Sequence, residues 1–149
     1  MMYRKKIIGI LIGLLVSAGL RGPDFTDLAK DVTTTDIATA ALTALIEYPL
    51  LRSSTPPLGS AVGAAMLGVE FAAASGPIYR FAKPEGRLAM KVIMGAGFVG
   101  SMGVGLYSLK QGNIKRVGEA AVVGVPAGIA MGRILWQDRS LKSSETLVR

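Results

Sequence analysis

The stretch Leu58–Tyr79, LGSAVGAAMLGVEFAAASGPIY, decides how the rest of the chain is read. It is apolar almost throughout. At about 1.5 Å per residue a helix of this length reaches roughly 33 Å, against a hydrocarbon core of about 30 Å. Its small residues fall in a line, Ser60, Ala64, Gly68, Ala72 and Gly76, one every four. On a helix that spacing places them on one face. In lipid no hydrophobic drive brings helices together. Contact rests on close backbone approach, dispersion and hydrogen bonds, so small residues collect where helices touch. The stretch therefore predicts a membrane helix with one flat face against a neighbour.

The same features recur on either side. Leu88–Leu109 and Val117–Trp136 are also long enough to span, and Thr35–Leu51 is at the short end of the range. Gly97, Ser101 and Gly105 share a line, with Ala96, Gly100 and Gly103 beside it. Ala120, Gly124, Gly128 and Gly132 form a third ladder. The Thr35–Leu51 stretch instead carries Thr39, Thr43 and Glu47 on one line, a polar face expected to meet protein or water and not acyl chains. Short polar connections at Arg52–Pro57, Arg80–Arg87 and Lys110–Arg116 force neighbouring helices antiparallel.

An apolar run also lies near the start, Ile7–Leu20, behind Arg4-Lys5-Lys6 and ending near Ser17-Ala18-Gly19. It has the shape of a signal peptide. It is read here as a retained helix, interfacial or a short extra span. Counting Lys and Arg on alternate sides gives twelve against four if it does not span, and seven against nine if it does. The expected fold is thus an all-α membrane bundle of four transmembrane helices with small-residue packing faces, plus an N-terminal apolar helix. Residues 1–34 form the N-terminal helix and linker, 35–136 the four-span domain, and 137–149 a soluble tail.

Composition agrees and removes several chemistries. The 149 residues include 17 Lys and Arg against 10 Asp and Glu, a net charge of +7, with 50% hydrophobic and 18% charged residues and a mean hydropathy of +0.45. The chain has neither Cys nor His. This leaves no disulfide framework, thiol nucleophile, His-ligated metal or Ser–His–Asp triad. The positive charges sit in short clusters between apolar runs and form no stripe, which suits lipid head groups better than nucleic acid. Arg80, Lys83, Arg87, Lys110, Lys115 and Arg116 are the head-group candidates, or equally an ordinary charged membrane flank.

Charged residues within the apolar runs are the remaining candidates for function. Glu70 lies near the middle of its span, while Glu47 and Glu119 sit closer to span ends. Glu70 either lines a polar cavity or is a neutral or Lys/Arg-paired carboxyl that fixes helix register. The second is favoured, because no other mid-span acid forms a relay with it. Lys91 and Arg133 are placed to snorkel. Gly95-Ala96-Gly97-Phe98-Val99-Gly100 matches the dinucleotide pattern G-x-G-x-x-G. It lies too late in the chain for the required sheet, and no acid ends a second strand. Its glycines are read as a packing face, and no cofactor, metal or small-molecule substrate is expected.

Taken together, Pro56–Gly76, the loop Arg80-Phe81-Ala82-Lys83-Pro84-Glu85 and Ala96–Gly132 resemble the mitochondrial inner-membrane translocase family. In the last segment a Gly-rich span leads through Gln111-Gly112-Asn113 to Ala120-Ala121-Val122-Val123-Gly124. Size, short tails and Pro56-Pro57 bring the likeness closest to the translocase-like accessory subunit of respiratory complex I. Import-channel members differ at Leu88-Ala89-Met90, where their basic loop leads to an Asp and an Asn. The resemblance implies a non-catalytic supernumerary subunit in the mitochondrial inner membrane. Its partners would be other membrane subunits of a large respiratory complex and phospholipid, cardiolipin among them. The alternative is a component of an inner-membrane translocase or channel, with the Glu47/Glu70 face lining an aqueous groove.

Overall fold

A computed structural model of the chain describes residues 30–53 and 55–147, with side chains to residue 140. Five helices follow one another: α1 (Thr34–Arg52), α2 (Pro57–Ser75), α3 (Pro77–Phe81), α4 (Pro84–Lys110) and α5 (Ile114–Leu147). The described residues contain no strand. The expected N-terminal apolar helix, Ile7–Leu20, lies outside the described residues. Among the described residues three segments are long and apolar enough to cross a membrane: Pro57–Phe81, Pro84–Lys110 and Ile114–Ser140.

Local sequence sets the helix ends. Thr33 caps α1 in a capping box: its hydroxyl accepts from the Asp36 amide at 3.3 Å, and the Asp36 carboxylate accepts from the Thr33 amide at 2.7 Å. Proline opens α2, α3 and α4, at Pro57, Pro77 and Pro84, where a missing N–H costs nothing. Gly112, with φ +69°, makes the tight turn between α4 and α5. α5 then runs unbroken past Trp136 to Leu147. The tail expected from residue 137 thus begins within α5, and the partly exposed Asp138 has partners described below.

α1 with α2, and α4 with α5, are antiparallel hairpins, and the ladders lie in their seams. Ser60, Ala64, Gly68, Ala72 and Gly76 are all buried. A Cβ on Gly68 would lie 2.3 Å from the Ala40 carbonyl oxygen, and one on Gly63 would lie 3.3 Å from Leu51. In the second hairpin Gly97 faces Ala127, Gly105 faces Ala120, and Ser101 faces Gly124. The small residues thus serve packing within the chain. Gly100, Gly103 and Gly132 are exceptions: each is exposed, and a Cβ there would meet nothing within 4 Å.

These distances rank the substitutions. A Cβ on Gly124 would sit 2.8 Å from the Ser101 Cβ, which is tied to its backbone. A Cβ on Gly128 would sit 2.9 Å from the Phe98 ring, which is partly exposed and can swing away. Thermal unfolding of the detergent-solubilised chain should therefore fall in the order Gly124→Ala, then Gly128→Ala, with Gly132→Ala unchanged or raised. The largest of these losses should be about 1–3 kcal/mol, the usual cost of overpacking.

α5 joins the two hairpins, packing on α1 and α2 as well as on α4. The main apolar core gathers side chains of α2, α4 and α5 around Tyr79: Phe71, Ala74, Tyr79, Ala82, Met90, Met94, Ala127, Ala130 and Ile134. The outer surface is apolar too. Ile37, Leu45, Leu58, Val69, Leu88, Val92, Val99 and Leu106 are all exposed.

Candidate functional site

Among the described residues, a polar cluster sits at the end of the bundle where α1 begins. Arg133, on α5, is buried, 8% exposed. Its guanidinium donates to the Thr35 carbonyl at 2.7 Å, to the Thr39 hydroxyl, and to the Asp36 carboxylate. Asp36 is itself buried and is shared with a second arginine. Arg80 on α3 donates to its other oxygen at 3.0 Å, to the Asp31 carboxylate at 2.6 Å and to the Asp31 carbonyl at 2.6 Å. One carboxylate thus binds α1 to both α3 and α5.

A second group continues the cluster. The Tyr79 hydroxyl donates to Asp138 at 2.6 Å, and Lys91 pairs with the other Asp138 oxygen. Arg87 donates to the Tyr79 and Arg80 carbonyls at 3.2 and 2.8 Å, and its guanidinium lies 5.7 Å from the centre of the Tyr79 ring. These carbonyls lie in the last turn of a five-residue helix, where the backbone oxygens lack helical partners. Gly76 is required for the assembly. A Cβ there would lie 2.1 Å from the Asp36 carboxylate and 2.7 Å from the Ala72 carbonyl oxygen. Its place at the end of the α2 ladder is thus set by the polar cluster as well as by helix packing.

Arg80, Lys91 and Arg133 are each paired with a carboxylate of the cluster, and Arg87 is held by backbone carbonyls. Among the described residues no group of three Asp or Glu side chains is arranged to hold a metal. The arrangement is a clamp, holding four helices by ionic hydrogen bonds.

Several expectations change in this light. Arg133 does not snorkel; it turns inward to Asp36. Lys91, partly exposed, pairs with Asp138 instead of reaching for the interface. Arg80 and Arg87, expected at lipid head groups, are engaged with Asp31, Asp36 and backbone carbonyls. Lys83, Lys110, Lys115 and Arg116 are exposed, as head-group contact requires, and so is Glu119. Glu70 is half-buried and pairs with no Lys or Arg among the described residues. It stands two residues beyond Gly68, about 200° around α2 from the ladder.

Glu47, like Asp36, is a buried acid. It is wholly enclosed, as is Thr43 one turn before it, so the polar line of α1 faces protein as expected. Neither Glu47 oxygen has a hydrogen-bond partner. Glu47 is thus enclosed in the α1–α2 seam, whereas Glu70 stands off the α2 ladder that forms that seam. Asp36, Asp31, Tyr79 and Asp138 were not singled out by the sequence reading. The pattern Thr33-x-x-Asp36 before an apolar run marks Asp36 as a capping residue. An arginine three residues inside an apolar run, at Arg133, signals the need for a partner.

Compared with protein-family models, with curated proteins and with solved structures, the chain matches none.

Proposed function

We propose that this chain is a non-catalytic membrane subunit, a four-span bundle that presents the outer face of α4 to other membrane proteins. The observation that carries this is the contrast between the two lines of small residues on α4. Gly97, Ser101 and Gly105 are used within the chain. Gly100 and Gly103 face open space, where a Cβ would meet nothing within 4 Å. Around them Val92, Val99 and Leu106 are exposed. A small-residue path flanked by branched apolar side chains suits a second helix in lipid.

The fourth span in this reading is α1. Its composition is too polar to qualify alone, but Asp36, Thr43 and Glu47 point inward. Outward it shows Ile37, Leu42, Leu45 and Ile46. A helix so oriented offers lipid an apolar surface whatever its average. Exposed Lys83, Lys110, Lys115 and Arg116 suit phospholipid head groups, cardiolipin included.

We propose that this role is that of an accessory subunit in the membrane arm of respiratory complex I, a reading that rests on the sequence resemblance to the mitochondrial inner-membrane translocase family. The test is native-gel migration of the tagged chain from mitochondria. Co-migration with NADH dehydrogenase activity is expected. A Gly100→Leu/Gly103→Leu variant should lose at least most of that co-migration, while the isolated variant unfolds in detergent like the parent. Migration with the import machinery would favour the translocase reading, and migration as a lone species would overturn both.

A further inference from the structure

The wholly buried Glu47 has no place in the clamp, and the groups around it define its state. It lies on α1 between Ala44, which meets Gly68, and Leu51, which meets Gly63. The α2 segment at that level, Gly63-Ala64-Ala65-Met66-Leu67-Gly68, has no side-chain hydrogen-bond donor. On α5, Arg133 is committed to the start of α1, three turns from Glu47. At Glu47's own level α5 reads Ala120-Ala121-Val122-Val123-Gly124-Val125, again without a donor. The charged groups of the packed helices stand elsewhere. Glu70, the one charged residue of α2, is off the seam, and Lys115, Arg116 and Glu119 of α5 are exposed. On α1 itself Tyr48 is only partly buried, and Arg52 is exposed at the helix end.

The hydroxyls along α1 complete the argument. Thr39 donates to the Thr35 carbonyl at 2.7 Å, and Thr43 donates to the Thr39 carbonyl at 2.8 Å. Thr43 is the hydroxyl nearest in line to Glu47, and its single proton is spent. An ionised carboxylate only accepts hydrogen bonds, and here it would find no donor. A carboxylic acid brings its own O–H and can turn to the lone pairs left on the Thr43 oxygen. An unpaired buried charge costs far more than an unpaired neutral group.

We propose that Glu47 is a proton-binding site that couples the protonation of α1 to its closure on α2. With the seam closed the side chain is the neutral acid. When the seam opens the proton passes to water and the carboxylate is hydrated. Loss of one proton per opening makes the opening constant rise about tenfold per pH unit, over the range where the open form is ionised and the closed form is not.

The test uses the full chain in detergent micelles. The infrared difference between wild type and Glu47→Gln at neutral pH should show the carbonyl stretch of a protonated carboxylic acid, carried by wild type alone. A difference confined to ionised-carboxylate bands overturns the proposal. Hydrogen exchange of α1 is then followed as pH rises, with the α4–α5 hairpin of the same molecule as the internal reference. In wild type, α1 should gain up to about tenfold in relative opening per pH unit. Glu47→Gln, or Glu47→Leu should the amide not fold, should remove that gain. An α1 that tracks the α4–α5 hairpin at every pH would overturn the coupling.

Discussion

Replacing Arg133 by Met is expected to destabilise the chain by about 3–5 kcal/mol, the cost of leaving one charge of a buried pair without its partner. The guanidinium and the Asp36 carboxylate are 6% and 4% exposed, so neither can recover its lost partner from solvent. Arg80 would still hold Asp36, but from the other oxygen and from a less buried position. Arg133→Lys should also cost stability. One ammonium cannot reproduce the fork that reaches the Thr35 carbonyl, Thr39 and Asp36 together. The measurement is denaturant unfolding in mixed micelles, set beside Lys91→Met. Lys91 and Asp138 are one-third and one-quarter exposed, and such a pair contributes about 0–1 kcal/mol. The double change Asp36→Leu/Arg133→Met should cost less than the sum of its single changes, because it removes both charges together. Equal losses for Arg133→Met and Lys91→Met would show that Asp36 and Arg133 do not form a buried pair.

The seams were legible and the clamp was not, for physical reasons. A packing face repeats every four residues within one helix, so Ser60 to Gly76 can be read without knowing the neighbour. The clamp joins Asp36 to Arg133 across 97 positions. Each of the two also has a sufficient local account: Asp36 completes a capping box, and Arg133 lies near enough to a span end to reach water. The acids show a similar contrast. Depth along a span singles out Glu70, but burial depends on angle around the helix. Glu47 lies on the line of Thr39 and Thr43, which faces protein, whereas Glu70 lies away from its ladder. The partners of Asp138 are hidden in the same manner: Trp136 ends the apolar run, and Tyr79 and Lys91, which hold Asp138, lie 59 and 47 positions away.

The α1–α2 seam should be the least forgiving surface in the molecule, and Gly68→Ala is the sharpest probe of it. The added methyl would stand 2.3 Å from the Ala40 carbonyl oxygen, 3.2 Å from its carbon and 3.2 Å from the Ala44 Cβ. All three atoms belong to backbone or to a Cβ, so no rotamer change relieves the clash and the helices must separate. Overpacking of this kind costs about 1–3 kcal/mol, and occasionally more. Separation would also bring solvent or lipid toward Glu47, which is buried between the same two helices. Gly100→Ala is the matched control. It makes the same chemical change on an open face, and there alanine's better helix propensity should raise stability by up to about 1 kcal/mol. Opposite signs for the two substitutions are expected in thermal unfolding of the isolated chain. If both stabilise, the ladder on α2 does not touch α1, and the seam, the inward turn of Glu47 and the lipid-facing surface of α1 fall together.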